Sequence, residues 1–285
     1  MIHAVPRRFD RFIDDLSCVE LSPRACNQFA RIGGDARGNA IRRRNLRLYL
    51  EELDAIGPRL LLVGEAVSYR GGRLTGIPFV SETVMLCGVD LANGSHVLGS
   101  GRGYRKADLS TRVSTEASAT MVWGTIRNIE PLPLLWNAFP FHPFDAGNPL
   151  TNRMPTPAEL EIGAPFVMRL IRLFAIERVA AIGNQASFSL TRLGVPHEKV
   201  RHPSQGGKNL FVAGMARHSQ FPRVEDSMPR KSQIQEIKEG VSTRTKTYSG
   251  RVQQAGPKPP MPTKNAVRLS TVPSSAKEKY KGGRD

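Results

Sequence analysis

Arg59-Leu60-Leu61-Leu62-Val63-Gly64 is the stretch on which the fold reading turns. A short continuous apolar run stopped by glycine reads as a strand buried on both faces. The segments around it alternate with it. Upstream, Ile41–Leu53 carries Leu46, Leu50 and Leu53 at helical spacing, begins with Arg42-Arg43-Arg44, and ends at Gly57-Pro58. Downstream, Glu116–Ile126 reads as a helix and Leu132–Trp136 as a second buried strand. Thr156-Pro157-Ala158-Glu159 opens a long amphipathic helix reaching Phe174, with proline in its first turn and glutamate soon after. Val179-Ala180-Ala181-Ile182 is a third strand ending at Gly183, Gln185–Leu193 a further helix closed by Gly194, and Lys199-Val200 starts a fourth strand. Such alternation implies an α/β fold, a parallel sheet with helices on both faces. No internal repeat is present.

Composition bounds the partners. The 285 residues are 40% hydrophobic and carry 41 Lys+Arg against 25 Asp+Glu, a formal net charge of +16. That excess favours polyanionic partners, nucleic acid or an anionic membrane surface. No run approaches the roughly 18 apolar residues of a membrane span, and Met1–Arg8 lacks an apolar signal core. Three cysteines, Cys18, Cys26 and Cys87, make no disulfide framework and point to reduced thiols. A soluble, intracellular protein with no membrane partner is expected.

The charge is uneven. Residues 217–285 hold 15 Lys+Arg and 6 Asp+Glu, with isolated apolar residues and the proline-rich Gly256-Pro257-Lys258-Pro259-Pro260. This segment reads as a disordered basic tail, with room for a short helix around Ile234–Glu239. A solubilising tail and a non-specific contact with DNA or RNA are both open. The expected division is therefore 1–40 as a helical or irregular segment, 41–216 as the α/β domain, and 217–285 as the tail.

Three loops follow strands, where open α/β sheets place their ligand crevice. The first runs from Gly64-Glu65-Ala66-Val67-Ser68 through Gly76-Ile77-Pro78-Phe79 to Glu82. The second begins at Asn137 and contains His142-Pro143, Asn152-Arg153 and Pro155-Thr156-Pro157. The third is His202-Pro203-Ser204-Gln205-Gly206-Gly207-Lys208-Asn209. In their order and spacing these motifs resemble the uracil-DNA glycosylase superfamily, above all its branch with Gly-Glu-Ala-Pro-Gly and His-Pro-Ser motifs. The resemblance covers about Ile41 to Gly214.

The resemblance implies a three-layer α/β/α domain with a short, mainly parallel four-stranded sheet, acting on DNA as a monomer and without cofactor. A glycosylase takes the base out of the stack into a snug pocket. The resemblance makes Phe79 the aromatic plate for that base, with Gly64, Ala66 and Ser68 beside it. Asn137, with a donor and an acceptor, suits the O4 and N3–H edge of uracil, whereas cytosine presents the opposite polarity. His202 is implied as a neutral imidazole donor to the charge developing on uracil O2. Ser204, Gly206, Gly207 and Lys208 suit a phosphate clamp, and Asn209-Leu210-Phe211 an apolar wedge at the emptied stack.

The sequence also departs from that pattern. Val67-Ser68 replaces Pro-Gly, relaxing a fixed φ and adding a Cβ. Ala66 stands where other members carry the aspartate that positions water, so Glu65 is the nearest carboxylate in sequence for that task. Tyr69 lies one position beyond the thymine-excluding tyrosine, and His142 replaces an arginine. An iron–sulfur cluster usually takes four thiolates, and three cysteines do not supply them. Metal binding by His142 and His202 has no supporting Cys/His spacing, and a zinc deaminase is disfavoured because His-x-Glu and Pro-Cys-x-x-Cys are absent. The expected activity is hydrolysis of the N-glycosidic bond of uracil, or a related damaged base, in DNA. The alternative is a non-catalytic DNA- or base-binding member. Hydrolysis of a small molecule is a third class, without a nucleophile elbow to support it.

Overall fold

Leu60, Leu61, Leu62 and Val63 are all fully buried, as a strand covered on both faces must be. They belong to a four-stranded sheet in a computed structural model that describes residues 8–33 and 35–218. The short helix expected around Ile234–Glu239, and all of the tail except Arg217 and His218, lie outside the described residues.

In chain order the elements are α1 (Asp10–Ser17), β1 (Ala25–Cys26), α2 (Ala36–Ile56), β2 (Leu60–Ala66), α3 (Gly72–Thr75), α4 (Glu82–Cys87), β3 (Val89–Asp90) and β4 (His96–Val97). They continue with α5 (Ala117–Ile126), β5 (Leu134–Phe139), β6 (His142–Pro143), α6 (Pro157–Leu173), β7 (Arg178–Ile182), α7 (Asn184–Arg192), β8 (Glu198–Val200) and α8 (Lys208–Ala216). The main sheet has the order β5-β2-β7-β8 and every pairing in it is parallel. It is flanked by helices, an α/β architecture. The pairs β1–β6 and β3–β4 are small antiparallel additions.

Local chemistry explains where elements begin and end. The α2 helix starts earlier than its apolar spacing indicates, because the Asp35 carboxylate accepts from the Gly38 N–H at 3.0 Å. Gly57, left-handed at φ 74°, closes it. β5 starts at Leu134 rather than Leu132, since Pro133 has no N–H for the ladder. It also runs on to Phe139, so Asn137 lies within the strand. α6 opens with a capping box between Thr156 and Glu159 behind Pro157.

The expected N-terminal segment contributes to the same core. Phe12 of α1 meets Trp136 of β5 edge-on at 5.4 Å and Phe166 of α6 at 5.7 Å. α6 lies close on β5 at Gly163, where a Cβ would stand 1.8 Å from the Ala138 carbonyl oxygen. The first loop is also more structured than its composition indicates, since β2 extends to Ala66 and α3 follows within it. The third loop ends where α8 begins. Phe211 on that helix is fully buried, whereas Asn209 and Leu210 are exposed, so of the expected wedge Leu210 is the apolar residue free to touch a ligand.

Candidate active site

A parallel sheet brings the carboxyl ends of all its strands to one edge. Here those ends are Gly64–Ala66 of β2, Asn137–Phe139 of β5, Ile182 of β7 and Val200 of β8, and a cleft of about 1060 Å³ opens beyond them. Its walls include Glu65, Ala66, Ser68, Phe79, Asn137 and His202. A cleft of this size is at the upper end of small-molecule pockets, which run to about 1,000 Å³.

Gly64 and Asn137 are register partners on adjacent strands. A Cβ on Gly64 would lie 2.2 Å from Cζ of Phe79 and 2.6 Å from Oδ1 of Asn137. The missing side chain is therefore the space in which the ring and the amide meet. Phe79 is held there with φ at 57°, uncommon for a residue with a side chain. Its carbonyl accepts from Nε1 of Trp123 at 3.0 Å. The Thr75 hydroxyl, donating to the Val80 carbonyl at 2.8 Å and accepting from the Ile77 N–H at 3.1 Å, braces the turn on both sides.

Asn137 is only 2% exposed, and its side-chain amide has no hydrogen-bond partner among the described residues. Buried amides are normally satisfied. This one, lining a cleft, offers a donor and an acceptor to whatever enters.

His202 has a fixed tautomer. The Ser204 backbone N–H donates to its Nδ1 at 3.2 Å, with the Ser204 hydroxyl 2.7 Å from the same nitrogen. A ring nitrogen that accepts from a backbone N–H is unprotonated, so the neutral ring carries its hydrogen on Nε2. Burial lowers the His202 pKa, and the nearby Arg201 charge lowers it further. Ser204 is thus spent on orienting the imidazole. Gly207 fits close beneath it, since a Cβ there would stand 2.0 Å from the His202 carbonyl oxygen.

Glu65 has no ion pair or hydrogen bond among the described residues, and burial alone raises its pKa. Ser68 accepts from the Gly71 N–H at 3.0 Å, which sets the turn into α3. Val67 donates its N–H to the Phe141 carbonyl at 3.3 Å, a bond that proline could not make. His142 is fully buried, its two ring nitrogens facing the Val67 and Pro149 carbonyls at 2.9 and 3.1 Å, away from any ligand. Arg153 is structural too. It pairs bidentately with Glu159 and also donates to the carbonyls of Phe144, Met154 and Arg24.

Of the expected phosphate clamp, only Ser204 lines the cleft. The Gly207 N–H donates to the Ser204 carbonyl, and Lys208 faces a separate groove between α5 and α8. Sequence reasoning missed Glu116 and Ser118 before and within α5, Gly183-Asn184-Gln185 after β7, and Lys199 and Arg201 around β8. The rule that ligands gather beyond strand ends points to the loop after β7 as well. Glu116 and Ser118 sit in no motif and give no such signal. Among the described residues, no three His, Cys, Asp or Glu side chains are grouped as a metal ion would need, and no helix is long and apolar enough to cross a membrane.

No family model and no curated protein matches the chain. Among solved structures it is similar to wild-type SMUG2 of Pedobacter heparinus, at 14% sequence identity and a TM-score of 0.46. That match covers 72% of this chain and 94% of the other. What the cleft can do chemically rests on its own side chains: an aromatic ring beside a free amide, an imidazole N–H donor, and a carboxylate with no partner.

Proposed function

We propose that the chain is a DNA glycosylase that hydrolyses the N-glycosidic bond of uracil, or of a damaged base with the same edge, and leaves an abasic site. The observation that carries this reading is the buried, unpartnered Asn137 amide set against the Phe79 ring across Gly64. An extruded pyrimidine stacks on the ring. The Asn137 amide N–H donates to O4 of uracil, and its carbonyl oxygen accepts from N3–H. Cytosine reverses both polarities and leaves buried groups unpaired, which costs about 1–3 kcal/mol for each.

The bond between N1 and the sugar C1′ then breaks, and its electron pair moves onto the base, chiefly O2. The Nε2–H of His202 donates to that oxygen. A neutral donor stabilises the developing charge without needing a proton of its own to be replaced. Water adds to C1′, and Glu65, whose raised pKa makes it a better proton acceptor than an exposed carboxylate, takes the proton. The proton ends on the departing base. The uneven positive charge of the chain suits a polyanionic substrate.

Single-turnover excision from a labelled uracil oligonucleotide, single- and double-stranded, tests this reading, with His202→Ala and Asn137→Ala beside wild type. Abasic product from wild type, depressed in both variants, is expected. Equal product from all three proteins would refute the assigned site. Uracil DNA bound without product would replace the enzyme by a non-catalytic binder.

A further inference from the structure

A second groove of about 500 Å³ lies beside the cleft, and three arginines line it: Arg70, Arg73 and Arg112. Many arginines elsewhere in the described residues are tied to carboxylates, as Arg42 is to Asp35, Arg102 to Glu52 and Arg153 to Glu159. These three have no ion pair among the described residues. The Arg70 guanidinium lies over the Tyr69 ring at 5.5 Å, and Arg73 spends only its Nε, on the Tyr69 carbonyl at 3.4 Å. The groove's two carboxylates share Lys106, which stands 3.0 Å from Asp108 and 3.8 Å from Glu82. One lysine offsets one of those two carboxylates, so the three arginines and Lys106 together leave a net of two positive charges to be neutralised from outside.

Cleft and groove share their walls. Ser68 and Gly72 line the cleft, while Tyr69, Arg70 and Arg73 between and beyond them line the groove. Glu116 lines the cleft and the preceding Thr115 the groove. The Asn152 side chain, at the cleft, accepts from the Tyr69 N–H at 3.0 Å and fixes the ridge between the two. A strand that delivers one nucleotide into the cleft must carry its neighbours over such a ridge. Arginines beside an aromatic ring are what a single strand's phosphates and bases require.

We propose that this groove is the track for the DNA strand flanking the nucleotide in the cleft, with Arg70, Arg73 and Arg112 on its phosphates. The proposal rests on the DNA reading above and adds to it a binding surface remote from the reacting bond. Arg70 and Arg112 are exposed, so their glutamine variants remove charge without opening the core.

The test is fluorescence anisotropy of the full chain with a labelled, uracil-free single strand across a salt series. Each lost phosphate contact lowers the slope of log affinity against log salt by about 0.7 for single strands. Arg70→Gln with Arg112→Gln lowers it by about 1.4. The control, Arg37→Gln with Arg127→Gln, removes the same charge at exposed positions outside both cavities and keeps the wild-type slope. An unchanged slope in the groove variant, or an equal fall in the control, overturns the track. Polyglutamate binding that is lost in the groove variant while the DNA slope stays at the wild-type value also overturns the track, and assigns the groove to an acidic protein. If wild type excises uracil and the groove variant behaves as the control, only the track falls. If wild type binds no DNA at low salt, the glycosylase reading falls with it.

Discussion

Replacing Gly64 by alanine adds one methyl group at the point where ring and amide meet. The backbone there is strand, not left-handed, so alanine fits its φ and ψ, and the strain falls on the neighbours alone. The new Cβ would lie 2.2 Å from Cζ and 2.6 Å from Cε2 of Phe79, and 2.6 Å from Oδ1 of Asn137. Carbon atoms rest about 3.5–4.0 Å apart, so the ring must retreat by about 1.5 Å and the amide must turn away as well. Overpacking of this kind costs about 1–3 kcal/mol, a fall of several degrees in Tm for a domain of this size. Displacing a positioning group by about 1 Å costs about 10²-fold in rate. Gly64→Ala is therefore expected to fold and to lose about 10²-fold in single-turnover excision, with circular dichroism confirming the fold. In Phe79→Ala the ring is gone and only the contact with Asn137 Oδ1 remains, so adding Gly64→Ala costs less there than in wild type, a coupling that a double-mutant cycle reads directly. Wild-type excision by folded Gly64→Ala, or strict additivity in the cycle, would refute the placement of the base against Phe79.

His202→Ala is expected to lower single-turnover excision by about 10²–10³-fold. Ser204→Ala, which leaves the backbone N–H on Nδ1, is expected to lower it by less. Glu65→Gln keeps the shape and removes the proton acceptor, and a rate loss of about 10²-fold or more is expected, with uracil-DNA affinity retained. A pH–rate profile is expected to fall on its acid side, because His202 must be neutral and Glu65 ionised; a rate that rises on acidification excludes both roles. Urea unfolding gives the linked stability. Burial holds His142, His202 and His218 below the usual histidine value near 6.5, so the unfolded chain takes up protons that the folded domain refuses. Their contribution is complete above that pH and is lost as pH falls through their lowered folded values. Glu65, raised, acts oppositely, favouring the fold below its raised value and losing that contribution as pH climbs from the usual carboxylate value through it. Arg153→Ala leaves the nearly buried Glu159 with only the Thr156 N–H and frees the Phe144 carbonyl, and a loss of about 1–3 kcal/mol is expected by chemical denaturation.

β2, β5 and β7 could be read from sequence because each holds a continuous apolar run, the pattern of a parallel strand buried on both faces, whereas β8 is an edge strand of which only Val200 is buried. α6 could be read from its capping residues. α8 was hidden behind a glycine-rich loop, although Phe211 and Met215, four residues apart, are both buried on it. β3 and β4 are two residues each, too short to leave a period. In the cleft, residues that follow strands were open to sequence reasoning, since the parallel sheet collects them at one edge. Glu116 and Ser118 were not, because the turn before α5 that brings them there is a tertiary event. The Ser204 role also needed coordinates, for only the geometry shows its N–H and hydroxyl both turned to the imidazole.

β8 ends the sheet on one side, and a terminal strand invites pairing with any extended chain it meets. Its exposed Glu198 and Lys199, with Arg201 just beyond, deter such pairing, and two of the three also look into the cleft. Lys199 and Arg201 thus stand both at the cleft and on the sheet edge. Variants that swap Lys199 or Arg201 for threonine or valine would therefore confuse weakened binding with aggregation. Glutamate, which reverses the charge but keeps the edge guarded, separates the two.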